Sequence, residues 1–400
     1  MSLAGTLVGP KDRRVRDAAA VRHGPRGSVV RSRAELEAMA HRWQGLERFA
    51  PGASLFQSLG WARAVFDFEA ARSNSDFDPV IAVVEDGQRL VGVLPLERIR
   101  TGVRTLLVPL GHAFAQISDV LVAADADTEA VVGQLLKIAR VSAPSDGVSL
   151  LKVRDGTALA RFMPKHHIRT GEIQGAPYVA LDAFADFASY FSTVRAKTRK
   201  NMRNARNRLE RDAPLRHRVV LDPCEQLALI ERTLDGRADR LREQGLTSRA
   251  FRDGGFAEFC RSLVAREDIR VLGFSLTHGG RPLAEQWGFE HGGRYYAYVA
   301  SRDFSHSDES PGKLQLGEVL QACAKRGLKG CDLGVPAMPY KLTFATETIG
   351  LRDYALPLTP RGWVMACLWD VWLRPILKRL ALAMPAHLRA RLMRAAGHGH

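Results

Sequence analysis

The hydrophobic positions of this chain follow a pattern that occurs once in each half. In the first half, two apolar runs with strand character, Val80–Val84 and Leu90–Leu96, flank Asp86-Gly87. An Asp-Gly pair between apolar runs predicts a β-hairpin, because glycine supplies the positive φ of a primed turn. A third run follows at Thr105–Leu110, and helical spacing extends from about Thr128 to Val141. This half therefore predicts a strand–turn–strand–strand–helix unit.

The second half has the same order of elements. Runs at Ile269–Leu276 and Leu283–Phe289 flank Gly279-Gly280, and Arg294–Ser301 predicts a third strand. A helix is predicted from about Ser310, because apolar side chains recur at i, i+3, i+4 and i+7. These side chains are Leu316, Val319, Leu320 and Cys323. The repeated pattern predicts an α/β (α+β) fold made of two tandem units, with mixed sheets flanked by helices.

Helices are predicted between the two units. Phenylalanines within 184–191 share one helical face, and the segment RAKTRKNMRNARNRLERD follows. In that segment only Met202, Ala205 and Leu209 form an apolar seam, so its remaining surface is charged. The predicted organisation is a mobile tail at 1–30, a first unit at 31–180, a helical basic connector at 181–250, a second unit at 251–355 and a basic, Trp-rich tail at 356–400.

Composition narrows the class of protein. A chain of 400 residues with 46% hydrophobic and 25% charged residues is typical of a folded globular protein of about two domains. No charge-free apolar stretch reaches 18 residues and no signal-type segment begins the chain, so we expect a cytoplasmic protein. The chain has five cysteines and no CxxC pair, which argues against a disulfide framework and against a Cys-rich zinc site. The twelve histidines offer no i, i+4 pair, and we expect no metal.

The net charge of +15 lies in two segments. Residues 195–218 carry a net +8 and residues 361–400 a net +6, so the rest of the chain is close to neutral. The 195–218 segment is interpreted as a solvated face, or as a surface for lipid or sugar phosphates or for RNA. It contains none of the aromatic side chains that sequence-selective RNA binding uses, so nucleic acid is the less favoured partner, although tRNA is not excluded.

The segment 361–400 has a different character. Trp363, Trp369 and Trp372 lie within ten residues, and arginines and lysines follow them. A Trp-rich apolar run followed by cations predicts a peripheral anchor on an anionic bilayer. The alternative is a terminal helix that packs on the protein itself.

Specific motifs also recur in a recognisable order. They are FQSLGW and VGVLPL near the start, the basic segment RAKTRKNMR, then Ser310-Pro311-Gly312, Asp332-Leu333-Gly334 and Tyr340-Lys341. Over residues 30–355 this order resembles the FemAB-like (BioF2-like) branch of the GNAT acyltransferases, which includes proteins associated with cellulose and exopolysaccharide synthesis. The resemblance implies a tandem GNAT fold with a degenerate first copy and an active second copy. The chain departs from the family at residues 335–339, where an acidic, glycine-containing stretch is usual, and after Lys341, where a tryptophan is usual.

The donor site is expected where the second unit's helix begins. In a GNAT fold the pyrophosphate of the acyl donor lies at a helix N-terminus, where free amides and the helix dipole meet an anion. Ser310 fits the N-cap, Pro311 the first helical position, and Gly312 permits close approach of a phosphate, while Lys313 adds a cation. The alternative is that Ser-Pro-Gly is only a favourable helix start.

Proton transfer needs further groups. Glu285, on the same strand face as Leu283 and Trp287, and Asp303, after the strand that ends near Ser301, are the candidate bases. A carboxylate on a largely apolar face is a stronger base, which suits proton abstraction. The alternatives are an exposed edge residue for Glu285 and a turn-forming residue for Asp303. Among the tyrosines of this strand, Tyr298 is the candidate proton donor to a leaving thiolate.

The remaining candidates come from the resemblance. It implies that Lys341 helps to stabilise the reacting acyl and phosphate groups, whereas a lysine in a surface loop is the alternative. Asp332, at the end of a short buried strand, Tyr340 and Trp287 are the expected acceptor-binding residues.

Together with the resemblance, the sequence thus predicts an acyltransferase that uses acyl-CoA, acetyl-CoA included, and acylates an amine or hydroxyl of a saccharide or cell-envelope intermediate. Its expected location is the cytoplasm, peripheral to the inner face of a bacterial cytoplasmic membrane. One alternative is a FemX-like enzyme that takes its acyl group from aminoacyl-tRNA. The other is an inactive, membrane-associated accessory protein of polysaccharide synthesis.

Overall fold

The computed structural model describes residues 26–384 except 74, 166, 244–253 and 304. Its strands are β1 (Arg26–Val30), β2 (Pro79–Asp86), β3 (Arg89–Thr101), β4 (Arg104–Pro109), β5 (Leu121–Val122), β6 (Gly147–Arg154), β7 (Ile168–Ala180), β8 (Leu215–Val220), β9 (Arg270–His278), β10 (Arg281–His291), β11 (Arg294–Arg302), β12 (Gly330–Asp332) and β13 (Glu347–Pro357). Its helices are α1 (Arg33–Ala38), α2 (Ala40–Phe49), α3 (Leu59–Ala70), α4 (Thr128–Ser142), α5 (Ala158–Phe162), α6 (Phe187–Thr193), α7 (Ala196–Asp212), α8 (Pro223–Glu243), α9 (Gly255–Ser262), α10 (Pro311–Lys325), α11 (Pro339–Leu342), α12 (Pro360–Met365) and α13 (Arg374–Ala383).

The strands form one mixed sheet whose order is symmetric about its middle. The order is β1-β2-β3-β4-β6-β13-β7-β12-β11-β10-β9-β8, with β5 added beside β3. Counted from either edge, three antiparallel pairs are followed by one parallel pair, β4 with β6 and β11 with β12. The duplicated unit predicted from the hydrophobic pattern is therefore confirmed as two copies of one strand arrangement.

The two copies exchange their last strands. β7, at the end of the first copy, pairs with β12 of the second, and β13, at the end of the second copy, pairs with β6 of the first. β7 and β13 also pair with each other and close the centre of the sheet. Each copy is thus completed by a strand that the other supplies. The predicted boundaries at 180 and 355 do not separate two sheets, because hydrophobic pattern marks a strand but does not specify its partner.

The local predictions agree closely with the structure. The first hairpin joins β2 to β3 through Asp86-Gly87, and the second joins β9 to β10 through Gly279-Gly280. Gly87 has φ +62°, the left-handed conformation that such a turn needs. The tail predicted at 1–30 is wrong at its end, because residues 26–30 form an edge strand paired with β2. The rest of that tail, His166 and residues 385–400 lie outside the described residues.

An aromatic cluster joins the two copies. Trp61 of α3 packs edge-on against Phe259 of α9, with ring centroids 5.3 Å apart, and Phe114 stacks on Phe259 at 4.0 Å. These rings belong to one continuous core that contains residues of both copies. The copies consequently have a fixed relation, and a site in one can be lined by the other. Within the described part of the chain, no helix is both long and apolar enough to cross a bilayer.

Candidate active site

A cleft opens where β11 and β12 diverge. These parallel strands pair only from Arg294 with Gly330 to Tyr296 with Asp332. Beyond Asp332 the chain stays beside β7, where the Leu333 amide donates to the Pro177 carbonyl at 2.9 Å, while β11 separates from it and continues paired with β10. The resulting cavity of ≈ 390 Å³ is called here the splay lobe. Its walls are formed by residues 297–300 of β11, by residues 333–336 and by α11.

A second cavity of ≈ 430 Å³, the donor lobe, lies next to the splay lobe. Both are lined by Arg237 and Arg240 of α8, by Gln286 and by Tyr340. The far end of the donor lobe is the first turn of α10, represented by Ser310, Gly312 and Lys313. A ligand can therefore extend from the start of α10 into the gap between the two strands.

The N-terminus of α10 leaves an amide available to this cleft. Ser310 is the N-cap residue as predicted, but its φ of 51° is left-handed and its side chain accepts no hydrogen bond from the helix. Pro311 has no N–H, and the Lys313 amide already donates to the Ser310 carbonyl at 2.8 Å. Within the described residues the Gly312 amide has no acceptor. The helix dipole adds positive potential at this point.

The matching helix of the first copy has no such opening. The Asp127 side chain at the start of α4 accepts from the amides of Glu129 at 3.0 Å and Ala130 at 3.2 Å. The gap beyond the short β4–β6 pairing is filled by the chain itself, since Ser118 forms a parallel bridge with Val153. A carboxylate occupies the anion position and a loop occupies the gap. The first copy therefore has the fold without the cleft.

Lys341 of α11 lies between the splay lobe and the end of β12. Its Nζ donates to the Gly334 carbonyl at 3.1 Å. Burial lowers the pKa of Lys341 to about 8, with a further contribution from the nearby Arg237 guanidinium, while Asp332 opposes the shift. An amine with this pKa exists in both protonation states near neutral pH, so it can hold an anion or exchange a proton.

Comparison with known proteins agrees with this geometry. Residues 196–342, which include α7, the donor lobe and α11, match the family described as acetyltransferase (GNAT) domain. The chain has the GNAT fold. Among solved structures it is similar to FemX, with 12% identity, TM-score 0.58, and coverage of 83% of this chain and 98% of FemX. It is also similar to the C-terminal domain of a putative lysylphosphatidylglycerol synthetase from Agrobacterium fabrum, with 11% identity, TM-score 0.50, and coverage of 84% and 95%. A search of curated proteins finds no match.

The GNAT cleft is rich in cations. Arg237, Arg240, Arg302, Lys313 and Lys341 all line one or both lobes. Among the described residues that line the two lobes, Glu285 is the only one with a carboxylate. This balance favours an anionic ligand.

Neither predicted base has the surroundings that were expected. Both oxygens of Glu285 are engaged, at 2.7 and 2.8 Å by Arg232, and Ser275 donates to one of them at 2.9 Å. Glu285 does line the donor lobe, but as one half of an ion pair and not on an apolar face. Asp303 lies outside both lobes and accepts from the amide and hydroxyl of Ser305 at 2.8 and 2.7 Å. These bonds lower the pKa of Asp303, so the turn-forming alternative describes it.

The other predicted side chains divide between the cleft and the core. Tyr340 lines both lobes, and burial raises its pKa. Tyr298 lines the splay lobe, but its hydroxyl donates to the Phe114 carbonyl at 2.7 Å. Burial also raises the pKa of Tyr298 well above the ordinary value. This hydroxyl is therefore held in place by the first copy and is poorly placed to protonate a thiolate.

Trp287 and Asp332 do not face the cleft. Trp287 is fully buried, and its indole N–H donates to Thr233 of α8 at 3.0 Å, so the prediction that it binds the acceptor is wrong. Asp332 is also buried, with one oxygen 2.9 Å from Arg154 Nη1. Its other oxygen accepts from the Gly334 amide at 2.9 Å. Asp332 thus shapes the turn that carries Gly334, the carbonyl partner of Lys341, and does not itself line either lobe.

Sequence reasoning missed several residues of the cleft, including Gln286 and Arg302, each adjacent in the chain to a predicted base. Arg237 and Arg240 come from α8, whose polar face resembles any solvated helix surface. Gln116 comes from the first copy, more than two hundred residues before Lys341, and reaches the splay lobe because the two copies pack together. No local signal marks these positions. Within the residues that the structure describes, no cluster of three His, Cys, Asp or Glu side chains could hold a metal ion.

Proposed function

We propose that this protein is a GNAT-type acyltransferase that takes an acyl group from acyl-CoA. The observation that carries the proposal is the open Gly312 amide at the end of two adjacent cavities with cationic walls. In this arrangement the donor pyrophosphate lies at the start of α10 beside Lys313 and Arg302. The pantetheine then runs through the donor lobe, and the thioester reaches the splay lobe.

The reaction is an attack of an acceptor amine or hydroxyl on the thioester carbonyl. The new C–N or C–O bond forms as the C–S bond breaks, the acceptor loses a proton and the CoA thiolate gains one. Lys341 is proposed to take the acceptor's proton, because its lowered pKa leaves part of it neutral near pH 8. In its protonated state it would instead stabilise the oxyanion. The resemblance implies a related role, in which Lys341 helps to stabilise the reacting acyl and phosphate groups.

The acceptor is proposed to be an amine or hydroxyl on a saccharide or cell-envelope intermediate. The splay lobe carries the side-chain amides of Gln116 and Gln286 and the phenol of Tyr340. Amide and hydroxyl groups both donate and accept hydrogen bonds, which matches the alternating donors and acceptors of a sugar. Carboxyl groups that would select a cationic acceptor are absent from the described lining of this lobe.

A second candidate is an enzyme that takes its acyl group from aminoacyl-tRNA. A cavity of ≈ 300 Å³ separates α7 from the start of α10, and Thr198, Asn201 and Arg208 line it together with Ser310 and Lys313. Six exposed cations of this region have no ion-pair partner among the described residues. They are Arg195, Lys197, Lys200, Arg203, Arg211 and Arg216. A large polyanion could therefore bind beside the donor lobe. The fold similarity to FemX agrees with this candidate without selecting it.

Ligand-dependent melting separates these candidates. A ligand that binds only the folded state raises Tm, by an amount that grows with its concentration relative to Kd. A rise in Tm with CoA and acetyl-CoA supports the proposal. A second measurement, release of free thiol from acetyl-CoA when an amino-sugar acceptor is added, then supports acyl transfer. Stabilisation by tRNA alone, with a steep decrease as salt rises, supports the second candidate. A protein that responds to neither overturns both and leaves the inactive accessory protein.

A further inference from the structure

The C-terminal segment forms a helix with an unusual outer face. α12, a π-helical stretch at Ala366–Leu373 and α13 follow one another without a break. Large apolar side chains recur along its exposed side at spacings of one, three, four and five residues. They include Trp363, Leu368, Trp369, Trp372, Ile376 and Leu380. Trp363 is 58% exposed and Trp372 is 67% exposed.

The opposite face attaches this helix to the protein. Gly362 packs so closely on Asp146 that a Cβ would lie 1.8 Å from the Asp146 carbonyl oxygen. Ala366 is buried, and Asp370 accepts two hydrogen bonds from Arg104 at 2.7 and 2.9 Å. These contacts fix which side points outward. A surface helix normally packs its apolar face on the core and exposes the polar one, and here the apolar face is the exposed one.

Charge indicates what covers this face. Residues 361–400 contain seven lysines and arginines and one acidic residue, Asp370. Asp370 is paired with Arg104 of the protein body, so it does not offset the positive charge of the segment. Tryptophans beside cations suit the boundary between headgroups and acyl chains of an anionic bilayer. A second copy of the same cationic segment would meet this one with like charge.

We propose that residues 360–384 dock on an anionic lipid bilayer, with Trp363, Trp369 and Trp372 inserted at its interface. The sheet relates this surface to the cleft. β11 and β12 are parallel, and β12 and β13 are both antiparallel to β7. The cleft opens at the C-terminal ends of β11 and β12, and the helix follows the C-terminal end of β13. Asp332 at the end of β12 and Glu347 at the start of β13 both pair with Tyr178, so the helix lies further along the direction in which the cleft opens. If the proposed function holds, the acceptor is one presented at a membrane.

Intrinsic fluorescence tests the docking without any donor or acceptor. Trp43, Trp61 and Trp287 are at most 1% exposed, so a shift of emission to shorter wavelength on adding vesicles reports the three C-terminal tryptophans. The probe is the full chain with vesicles of phosphatidylcholine, with or without phosphatidylglycerol. We expect the shift and vesicle flotation only when phosphatidylglycerol is present, and weaker binding as salt rises.

Two sets of variants identify the surface. The double variant Trp363→Ser/Trp372→Ser is expected to weaken vesicle binding by about tenfold or more, since interfacial binding scales with buried apolar area. Phe49→Ser, at an apolar side chain 73% exposed on α2, is the matched control and should bind like the parent. Arg361→Glu/Arg374→Glu keeps the apolar face and should lose the preference for phosphatidylglycerol, which covers the case in which the serine variant fails to fold.

Three results would overturn the inference. One is absence of binding to either vesicle, and another is equal binding to both vesicles. The third is a dimer in solution that the two Trp substitutions dissociate while vesicle binding is absent, because a second copy would then cover this face. None of these results depends on CoA or on turnover, so failure of the docking and failure of the proposed acyl transfer remain distinguishable.

Discussion

The substitution Gly312→Asp tests the donor site most directly. A Cβ at this position would have one neighbour within 4 Å, the Arg302 Cδ at 3.7 Å, which is an ordinary contact, and the backbone φ is not positive. The new carboxylate would lie at the start of α10, where the donor phosphate is expected. Two unit charges about 5 Å apart repel by about 3 kcal/mol at an effective dielectric constant near 20. Donor affinity should therefore fall by about two orders of magnitude.

The same substitution should not weaken the fold. An acidic side chain in the first turn stabilises a helix by about 0.3–1 kcal/mol, so the free energy of unfolding without ligand should be unchanged or higher. Loss of binding together with equal or greater stability distinguishes repulsion at a site from general damage. Gly312→Ala adds the Cβ without the charge and should retain most of the binding.

The assay is the shift in Tm with CoA. At a concentration of about 100 times Kd, CoA stabilises the parent protein by about 2.7 kcal/mol, and a hundredfold weaker variant by about 0.4 kcal/mol. Gly45→Asp, at a glycine of α2 with no atom within 4 Å of an added Cβ, is the control for an introduced charge. If Gly312→Asp keeps the full shift with CoA, the donor does not lie at the start of α10 and the proposed geometry is wrong.

Three further substitutions test the site and the fold. Lys341→Arg keeps the cation but removes a group with a pKa of about 8. We expect kcat to fall by about 10²–10⁴ and the rise in rate through that pH to disappear, while CoA binding is retained. An active arginine variant would assign Lys341 to charge stabilisation instead. Burial raises the pKa of Asp119 from 3.8 to about 7, so the folded protein binds more protons than the unfolded chain between these values and loses stability as pH rises through them. Denaturant titrations should then show Asp119→Asn gaining stability on the parent from pH 4 to 7, and a constant difference would refute this assignment. Asp332→Ala leaves the buried Arg154 guanidinium without its partner and should reduce the free energy of unfolding by about 3–5 kcal/mol, whereas a loss below about 1 kcal/mol would show that water reaches the pair.

The predicted site was partly recoverable from sequence for a local reason. Ser310, Gly312 and Lys313 lie within four consecutive residues, and Lys341 directly follows Tyr340. Because residues this close in the chain are also close in the fold, short motifs were enough to identify them. Trp287 and Glu285 show where this reasoning ends. Strand alternation placed them correctly on one face, but that face is covered by α8, which supplies Thr233 to the indole and an arginine to the carboxylate. Alternation identifies the side of a strand and not what covers it.

For the C-terminal helix, too, the sequence did not show which contacts the helix makes with the rest of the protein. Its composition left two interpretations open, a membrane anchor and a helix that packs on the protein. The structure shows the helix held to the body by Ala366 and Asp370, while the exposure of Trp363 and Trp372 is the basis of the docking proposed above. The decisive contact is Arg104 with Asp370, which joins residues 266 positions apart.

By itself, the sequence determined the two copies of the α/β unit, both hairpins, the start of α10 and the position of the basic segments, because each depends on residues close together in the chain. Only the tertiary structure decided that β7 and β13 are exchanged between the copies, that the first copy fills its own cleft, and that Arg237 and Gln116 line the second. Strand partners, burial and the environment of a charge depend on contacts between distant residues, and hydrophobic periodicity contains no record of those contacts.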